Sequence, residues 1–436
     1  MSDTSSSKPP LRLGIAGLGT VGAGVIKIVQ RKANLLAART GRPIEISAVS
    51  ARNRDKDRGV DISAYAWEDD PVALALRDDV DVLVELMGGA DGPAKAATEA
   101  ALAAGKDVVT ANKAMLAIHG NELAAKAEAK GAVLRFEAAV AGGIPVVKAL
   151  TEGLAGNRIT RIAGVMNGTC NYILTRMENE GLTYDEVFDA ANALGYLEAD
   201  PTLDVGGIDA GHKLALLASI GFGTRVAFDD MVLEGIERIT IEDINHAADM
   251  GYRIKLLGVA QMTGRGLEQR MTPCLVPVKS PLGQLENATN MVVLEGDEVG
   301  QVVLRGAGAG EGPTASAVLS DVLDIARGFR ISTFGVPATT LDSSTPAVAS
   351  TPAPHYLRLS LVDKPGVLAK VTAALGDAGV SIDRMRQYGQ HDNPDVAPVL
   401  IVTDPTSRRA IDEALTVMET SGALAAQPVT IRIEDV

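Results

Sequence analysis

The fold is decided by one stretch near the start of the chain, Leu11-Arg12-Leu13-Gly14-Ile15-Ala16-Gly17-Leu18-Gly19-Thr20-Val21-Gly22. Its first half is apolar enough to predict a buried β-strand, and its second half matches the pattern G-x-G-x-x-G at the start of a helix. Glycines at these positions allow a tight turn, close approach of a pyrophosphate to the backbone, and helix–strand packing. The helix N-terminus offers free N–H groups and a positive dipole end to the phosphates. This context favours a dinucleotide site over a purely structural turn, with these binding residues: Gly17, Leu18, Gly19, Thr20, Val21 and Gly22.

Further strand patterns follow this turn along the first third of the chain. We predict strands over residues 43–49, 80–86, 107–110 and 132–136, and a helix over the alanine-rich residues 93–104. Strands that alternate with helices are joined by right-handed crossovers, which place the strands parallel in one sheet with helices on both faces. Residues 11–136 are therefore predicted to form a Rossmann-type, doubly wound α/β domain.

The end of the second strand carries the signal for cofactor choice. NAD-selective sites usually place Asp or Glu there to bind the ribose 2′-hydroxyl, whereas this chain has Ser50, Arg52 and Arg54. A guanidinium suits a 2′-phosphate, so the pattern favours NADP over NAD, with Arg52 as a binding residue. The alternative is that the arginines belong to a solvated loop, in which case NAD stays possible.

The overall composition excludes several classes of function. The 436 residues carry a formal net charge of −14, which argues against nucleic acid as a partner because phosphate binding needs clustered Lys and Arg. No apolar run is long enough to span a membrane, and the start of the chain does not resemble a signal peptide. The two cysteines, Cys170 and Cys274, form no disulfide or metal framework. We therefore expect a soluble cytoplasmic protein with a disordered tail over residues 1–10.

The rest of the chain divides into further parts. A mixed α+β region over 137–307 is followed by a predicted helix over 314–328. Residues 331–354 end in a stretch rich in Ser, Thr, Pro and Ala, which is typical of a linker. Residues 355–436 then show the βαββαβ order of a ferredoxin-like domain. Its predicted elements are strands over 355–362, 380–388, 396–403 and 428–434, and helices over 365–378 and 406–421.

A candidate catalytic pair lies on a predicted helix that begins at about residue 208. Asp209 and Lys213 are four residues apart and therefore share one helix face. Leu216, Leu217 and Ile220 continue the same stripe, which places the pair on the apolar side of the helix. A buried ammonium group needs a carboxylate partner, and it can transfer a proton to an alkoxide. The alternative is an ordinary exposed ion pair.

Two further charged segments are candidates for the same site. Residues 195–204 form an acidic loop that leads into this helix, and its carboxylates Glu198, Asp200 and Asp204 could bind the ammonium group of an amino-acid substrate. Capping and solvation of the loop is an equal alternative. Lys113 follows the fourth strand, at the sheet edge where parallel sheets bind ligands. Here the alternative is a chance surface lysine.

These motifs occur together, in this order, in homoserine dehydrogenases, which the chain resembles over about residues 11–330. The matching segments are Gly17-Leu18-Gly19-Thr20-Val21-Gly22, Thr110-Ala111-Asn112-Lys113, Gly164-Val165-Met166-Asn167-Gly168-Thr169-Cys170-Asn171-Tyr172-Ile173-Leu174 and Glu198-Ala199-Asp200-Pro201, with Asp209 and Lys213. The resemblance implies NAD(P)H-dependent reduction of L-aspartate 4-semialdehyde to L-homoserine, a step toward threonine, methionine and isoleucine. It also implies that Lys213 is the proton donor or acceptor at the substrate oxygen, assisted by Asp209 and Lys113.

The resemblance assigns the remaining site residues. Substrate contacts would come from Glu198, Asp204, Asp209, Gly168, Thr169 and Lys113, with Glu198 at the amino group. Gly308 lies at the start of a helical segment over 308–330, which would return the chain to the cofactor. A monovalent cation, Na⁺ or K⁺, would lie near Glu137, Val140, Gly142 and Ile144, bound partly by backbone carbonyls.

The C-terminal part carries a second resemblance. Asp363-Lys364-Pro365-Gly366-Val367-Leu368-Ala369-Lys370-Val371 follows a predicted strand, and proline suits the first turn of a helix. A capped helix alone would explain this stretch, but together with the βαββαβ order it resembles the ACT domain. The resemblance implies side-by-side pairing in a homo-oligomer, a dimer or a tetramer. It also implies that the domain binds a small amino acid for feedback control, with threonine as the expected effector.

Two other functions stay open from the sequence. A phosphorylating semialdehyde dehydrogenase would need a thiolate nucleophile and a base, for which Cys170 and His212 are available. A lone cysteine, however, is more often a small core residue. The second alternative is a non-catalytic amino-acid sensor built on the same fold, which the intact pair of Asp209 and Lys213 disfavours.

Overall fold

A computed structural model of the chain describes residues 8–195, 197, 200–347, 351–387 and 395–435. Its N-terminal part folds around a six-stranded sheet whose strands all pair in parallel. The elements in chain order are β1 (Leu11–Ala16), α1 (Thr20–Thr40), β2 (Ile44–Ser50), β3 (Ala66–Glu68), α2 (Pro71–Leu76), β4 (Val82–Glu85), α3 (Pro93–Ala103), β5 (Asp107–Thr110), α4 (Lys113–Ala129) and β6 (Leu134–Arg135).

The strand order of this sheet is β3-β2-β1-β4-β5-β6, so the winding reverses between β1 and β4. This is the Rossmann-type doubly wound arrangement, and the predicted fold class is confirmed. The predicted strands are also confirmed, with ends that differ by at most two residues. Among the strands of this sheet, sequence analysis missed β3 around Trp67, a short strand at the sheet edge. Ligands bind such sheets outside the carboxyl ends of the strands at the point of reversal, which here is the edge beside β1 and β4.

The central part of the chain forms a mixed layer of helices and antiparallel strands. Its elements are α5 (Glu137–Val140), α6 (Val146–Lys148), a π-helical turn (Ala149–Gly153), β7 (Ile159–Val165), α7 (Gly168–Glu180), α8 (Tyr184–Ala193), α9 (Thr202–Val205), α10 (Ile208–Phe222), β8 (Val232–Leu233), α11 (Ile241–Asp249), β9 (Tyr252–Thr263), β10 (Gly266–Pro277), β11 (Thr289–Gly296) and β12 (Gly300–Ala307). Strands β12-β11-β7-β9-β10 are neighbours in one antiparallel sheet. Helix α10 packs on this sheet through the fully buried Leu214, Leu216 and Leu217.

Helix α12 (Glu311–Arg327) returns the chain to the N-terminal sheet, and it begins three residues before the predicted helix. Val318 and Val322 of α12 share one apolar core with Val25 and Ile26 of α1. The two helices are also joined by an ion pair between Lys27 and Glu311 at 3.0 Å. Within the described ranges, no helix is both long and apolar enough to cross a membrane.

The C-terminal part is a four-stranded antiparallel sheet with two helices on one face. Its elements are β13 (His355–Val362), α13 (Val367–Asp377), β14 (Ile382–Gln387), β15 (Val396–Thr403), α14 (Arg408–Thr420) and β16 (Val429–Ile433). The strand order β16-β13-β15-β14 is that of a ferredoxin-like fold, as predicted. Side chains of β13 alternate between the two faces of the sheet. Leu357 and Leu359 pack in the core with the two helices, whereas Tyr356, on the other face, packs in the core of the central part.

The central and C-terminal sheets are continuous. Strand β16 pairs in parallel with β10, with Cys274 opposite Arg432 and Leu275 opposite Ile433, so that a ten-stranded sheet runs through both parts. A second link is the ion pair between Arg358 of β13 and the fully buried Asp243 of α11, at 2.6 Å. Backbone hydrogen bonds between β10 and β16 and the ion pair between Arg358 and Asp243 therefore hold the C-terminal domain against the central part.

The predicted linker over 331–354 connects these parts along a packed route. Phe334 is buried against Phe136, with ring centroids 5.7 Å apart, and a short 3₁₀ helix follows at Ala338–Thr340. Pro346 forms an isolated bridge with Leu267. The described part of this segment is thus docked on the domain it leaves. Of the predicted tail, residues 1–7 lie outside the described residues, while Lys8–Pro10 lead directly into β1.

Candidate active site

A cleft of about 720 Å³ lies between the carboxyl edge of the parallel sheet and the central layer. Among the residues singled out from sequence, those that line it are Val21, Lys113, Val140, Gly142, Gly168, Thr169, Asp204, Asp209, Lys213 and Gly308. Glu198 lies outside the described residues. The cleft therefore brings together the end of the glycine turn, the predicted catalytic pair and the lysine that follows the fourth strand.

The glycine turn leaves room at the N-terminus of α1. Gly17 has a φ of +101°, and a side chain there would lie 2.5 Å from the backbone of Leu86, so only glycine fits. A side chain at Gly19 would point into open space, which is the room a phosphate group needs at this position. Gly19 is also the N-cap of α1, and none of the described side chains caps it. The turn thus presents unshielded N–H groups, as an anion site requires.

A buried hydrogen-bond network shapes the loops at the ends of β4 and β5. Glu85 is fully buried, and its carboxylate accepts the N–H of Met87 at 2.7 Å and the hydroxyl of Thr110 at 2.6 Å. Asn112 donates to the carbonyl of Gly89 at 2.7 Å and caps α4. Burial raises the pKa of Glu85, although the hydrogen bonds that its carboxylate accepts act to lower it. Sequence analysis missed Glu85, although an acidic residue at the end of an apolar strand was a signal for it.

The chemical centre of the cleft is one carboxylate held between two lysines. Asp209 Oδ2 lies 2.7 Å from Lys213 Nζ, and Asp209 Oδ1 lies 2.8 Å from Lys113 Nζ. Burial alone would raise the pKa of Asp209, but the two ammonium groups outweigh it and hold the pKa well below its usual value. Asp209 therefore stays ionised, and it carries one negative charge for two positive ones. The cluster as a whole favours an anion or a developing negative charge beside it.

Lys213 is buried as the helical spacing predicts. Its residue is 9% exposed, and its ammonium group also donates to the carbonyl of Met166 at 2.9 Å. Within the described part of the chain, Asp209 and Met166 use two of its three N–H donors, which leaves one for a substrate oxygen. The alternative of an exposed ion pair on α10 is wrong, because Leu216 and Leu217 turn this face of the helix inward.

The N-terminus of α7 forms another wall of the cleft. Asn167 caps this helix by accepting the N–H of Cys170 at 2.7 Å, and its amide donates to Asp204 Oδ1 at 3.0 Å. Gly168 packs so closely under Ala288 that a side chain would lie 2.8 Å from the Ala288 carbonyl. Thr169 and Asp204 line the cleft beside them. The amide of Asn167 thus orients a carboxylate on the wall of the cleft.

The segment predicted to hold a cation borders the cleft, which Val140 and Gly142 line. Glu137 is buried, and its two carboxylate oxygens accept the N–H groups of Val147 at 2.9 Å and Lys148 at 2.8 Å. Burial and the neighbouring carboxylate of Asp321 raise the pKa of Glu137 to about 7. The carbonyl of Ile144 accepts the N–H of Val146 at 2.8 Å. Among the described residues, no group of three or more His, Cys, Asp or Glu side chains is placed to hold a metal ion.

The arginines that follow β2 lie away from the cleft. Arg52 and Arg54 are exposed and are not among the residues that line it. Arg54 and Arg58 both stack over the ring of Trp67, at 5.8 Å from its centroid. Within the described structure, Arg52 thus belongs to a solvent-exposed loop at the adenosine end of the predicted cofactor site.

The alternative that uses Cys170 as a nucleophile is wrong. The thiol is fully buried, it donates to the carbonyl of Asp204 at 3.3 Å, and burial raises its pKa well above the usual value. His212 packs on the ring of Phe228 with centroids 4.3 Å apart, and burial lowers its pKa. Reactive cysteines are exposed and have a lowered pKa, so this thiol is a core group.

The fold and the cleft together define a dinucleotide-dependent oxidoreductase with a ferredoxin-like C-terminal domain. Two family models, described as the NAD-binding domain of homoserine dehydrogenase and as homoserine dehydrogenase, match residues 17–137 and 145–323, and an ACT domain model matches residues 355–419. The chain belongs to the homoserine dehydrogenase family. It is therefore an NAD(P)-dependent oxidoreductase with a C-terminal ACT domain, and the alternative of a non-catalytic sensor is not supported.

Several relatives show the same likeness over the whole chain. A homoserine dehydrogenase from Pseudomonas aeruginosa is 41% identical over 432 residues, which cover 98% of this chain and 99% of the relative. The crystal structure of a homoserine dehydrogenase from Thiobacillus denitrificans matches with a TM-score of 0.91 at 39% identity, with 98% of each chain covered. A hyperthermophilic archaeal homoserine dehydrogenase mutant, solved in complex with NADPH, matches with a TM-score of 0.63 at 27% identity, covering 74% of this chain and 99% of the other.

Proposed function

We propose that Lys213 is the proton donor when this enzyme reduces L-aspartate 4-semialdehyde to L-homoserine, and the proton acceptor in the reverse direction. The observation that carries this proposal is the pairing of the ammonium group of Lys213, a buried residue, with Asp209 at 2.7 Å on the wall of the cleft. An ammonium group held in this way keeps its orientation and meets the substrate oxygen with little reorganisation.

The proposed roles follow from the charges in the cluster. When bound, the nicotinamide ring supplies a hydride to the carbonyl carbon of the substrate. Lys213 donates a proton to the carbonyl oxygen as negative charge develops on it. Lys113 contributes a second positive charge beside the same site, and Asp209 holds both ammonium groups in place. Asp209 is thus an orienting group, because its lowered pKa makes it a poor proton donor.

The ammonium group of the substrate needs a carboxylate partner in the cleft. We propose Glu198 and Asp204 for this role. Asp204 is held in place by the amide of Asn167, and it lies on the cleft wall with Gly168 and Thr169. The proposal for Glu198 rests on the matching motif in the sequence alone.

We propose NADPH as the preferred cofactor, bound with its pyrophosphate over Gly17–Gly22. The open space beside Gly19 and the uncapped N-terminus of α1 support the pyrophosphate position. The NADPH bound to the archaeal relative and the presence of Arg52 after β2 support the choice of NADP. Gly308 lines the cleft, and we propose that it contacts the cofactor.

We also propose that a monovalent cation, Na⁺ or K⁺, binds at the border of the cleft near Glu137, Val140, Gly142 and Ile144. Hard oxygen donors suit such an ion, and this segment offers a carboxylate together with irregular backbone. A nearby cation would also favour the ionised form of Glu137, whose pKa is raised to about 7 without it. The ion would then stabilise the backbone that carries Val140 and Gly142 to the cleft.

For the ACT domain we propose feedback control by threonine. Support comes from the match of residues 355–419 and from the continuous sheet through β10 and β16, which ties the domain to the catalytic layer. Saturating threonine should change either the rate or the melting temperature of the enzyme. The proposal fails if both stay unchanged.

The central proposal is tested with Lys213→Met and, as a matched control, Lys126→Met. Lys126 is a half-buried lysine on α4, paired with Glu99 and Glu122, far along the helix that begins at Lys113. We expect Lys213→Met to lower kcat for homoserine oxidation by about 10²- to 10⁴-fold, the range for loss of a general acid or base. Binding of NADPH, followed by fluorescence, should be retained. A variant that keeps kcat within about threefold of the control would overturn the assignment.

A further inference from the structure

A second buried lysine lies behind the cleft, and the proposed mechanism does not use it. Lys255 of β9 is 1% exposed, and burial lowers its pKa to about 8. Its ammonium group donates to Asn171 Oδ1 at 2.9 Å and to the backbone carbonyl of Leu285. An isolated buried ammonium group is costly, so a lysine kept here must gain from what it binds.

What Lys255 binds is the start of a loop that leads into the cleft. Asn171, held by Lys255, donates in turn to the carbonyl of Asn287 at 2.7 Å. The N–H of Asn287 donates to the hydroxyl of Thr175 at 3.2 Å. Asn287 has a φ of +57°, and it is the one residue other than glycine with a positive φ in the described ranges. Such a conformation is strained and persists only where the surroundings hold it.

The loop continues directly into the wall of the cleft. Ala288 and Asn290 line the cleft, and Ala288 sits against Gly168 at the N-terminus of α7. The side chain of Asn290 lies where a side chain at Gly308 would have to go. The loop therefore touches Gly168, which is predicted to contact substrate, and the start of β11 that follows it touches Gly308, which is predicted to contact cofactor. A shift of the loop would move the two reactants relative to each other.

We infer that Lys255 is a positioning residue for the reaction: through Asn171 and Leu285 it locks the strained loop at Asn287, and so fixes the cleft wall formed by Ala288 and Asn290. This inference rests on the proposed function of the cleft and adds a residue to it. A neutral apolar side chain of similar length could fill the space, but it would leave the Asn171 amide oxygen without its Lys255 donor. The Leu285 carbonyl would keep only the longer hydrogen bond from Asn171 Nδ2, at 3.5 Å. The loop would then be free to relax from the positive φ at Asn287.

The test is Lys255→Met in the full-length enzyme, assayed for homoserine oxidation with saturating NADP. We expect kcat/KM for homoserine to fall by roughly 10- to 100-fold, because displacements of about 1 Å at a reacting centre have effects of this size. Thr175→Val removes only the hydroxyl that holds the Asn287 N–H and should change the same parameter in the same direction by a smaller factor. This second variant keeps the inference testable if Lys255→Met does not fold.

A control variant, Arg358→Met, distinguishes a positioning role of Lys255 from a purely structural role. Arg358 lies in the ion pair with the buried Asp243 between α11 and β13, outside the residues that line the cleft. This control should lower the melting temperature and leave kcat/KM of the folded enzyme within about twofold. The inference is overturned if Lys255→Met and Thr175→Val behave like the control, with lower melting temperatures and unchanged kinetics. Absence of activity in the wild-type enzyme would instead refute the proposed function itself.

Discussion

The shared carboxylate of Asp209 can be tested through the repulsion that it suppresses. Asp209→Asn keeps the shape of the side chain but removes the negative charge that Lys213 and Lys113 share, at 2.7 Å and 2.8 Å from its two oxygens. The amide also presents N–H donors to one of two groups that are themselves donors. Two ammonium groups would then lie beside each other in the cleft without the carboxylate between them.

The size of the effect follows from the distances and the burial. At a separation of roughly 5 Å, two unit charges repel by about 3 kcal/mol with an effective dielectric constant of about 20. Lys213 is 9% exposed, so solvent screens little of the electrostatic cost when it loses its partner. The side chain of Lys113 is 29% exposed, so its charge is partly screened. We therefore expect Asp209→Asn to lower the free energy of unfolding by about 2–4 kcal/mol. The kcat should fall by about 100-fold, because Lys213 loses the group that orients it.

A double variant isolates the charge effect. Removing one ammonium group in Asp209→Asn/Lys113→Met should restore about 1–2 kcal/mol of the lost stability without restoring kcat. Urea unfolding followed by circular dichroism measures the first quantity, and NADPH formation from homoserine measures the second. If the double variant is no more stable than Asp209→Asn alone, the two lysines do not repel through this site. The interpretation of the cluster as one negative and two positive charges would then be refuted.

Two further predictions concern buried groups near the cleft. Cys170→Ser should keep kcat within about threefold, since the serine hydroxyl can donate to the same Asp204 carbonyl and the thiol takes no part in the chemistry; loss of turnover would restore the thioester route. Burial lowers the pKa of Lys255 to about 8 from a usual 10.5, with Glu178 and Glu286 opposing this shift and Arg253 adding to it. The unfolded chain therefore binds more protons than the folded protein between pH 8 and 10.5, so this lysine makes stability rise with pH across that window. The free energy of unfolding of the wild type minus that of Lys255→Met, measured by urea titration at both ends of the window, should increase by about 2–3 kcal/mol; a constant difference would show that the ammonium group is not desolvated.

Local patterns were sufficient to predict the parallel sheet and the lysine–aspartate pair. The glycine turn after an apolar strand implies a dinucleotide fold, since few other arrangements need that spacing. Asp209 and Lys213 lie on one helix turn, and the leucines at 216 and 217 show which way that face points. In the same way, the βαββαβ order predicts the sheet of the C-terminal domain. Each of these features depends on periodicities of two or 3.6 residues, which a sequence displays directly.

Contacts between distant segments were decided only by the tertiary structure. Lys113 meets Asp209 across 96 positions of sequence because β5 ends at the cleft and α10 begins there. Glu85 and Lys255 look like ordinary strand residues until the fold buries them among loops that need their hydrogen bonds. The pairing of β16 with β10, which joins the C-terminal and central sheets, has no local signal either. A sequence shows which face of an element is apolar, but which element covers that face depends on the packing of the whole chain.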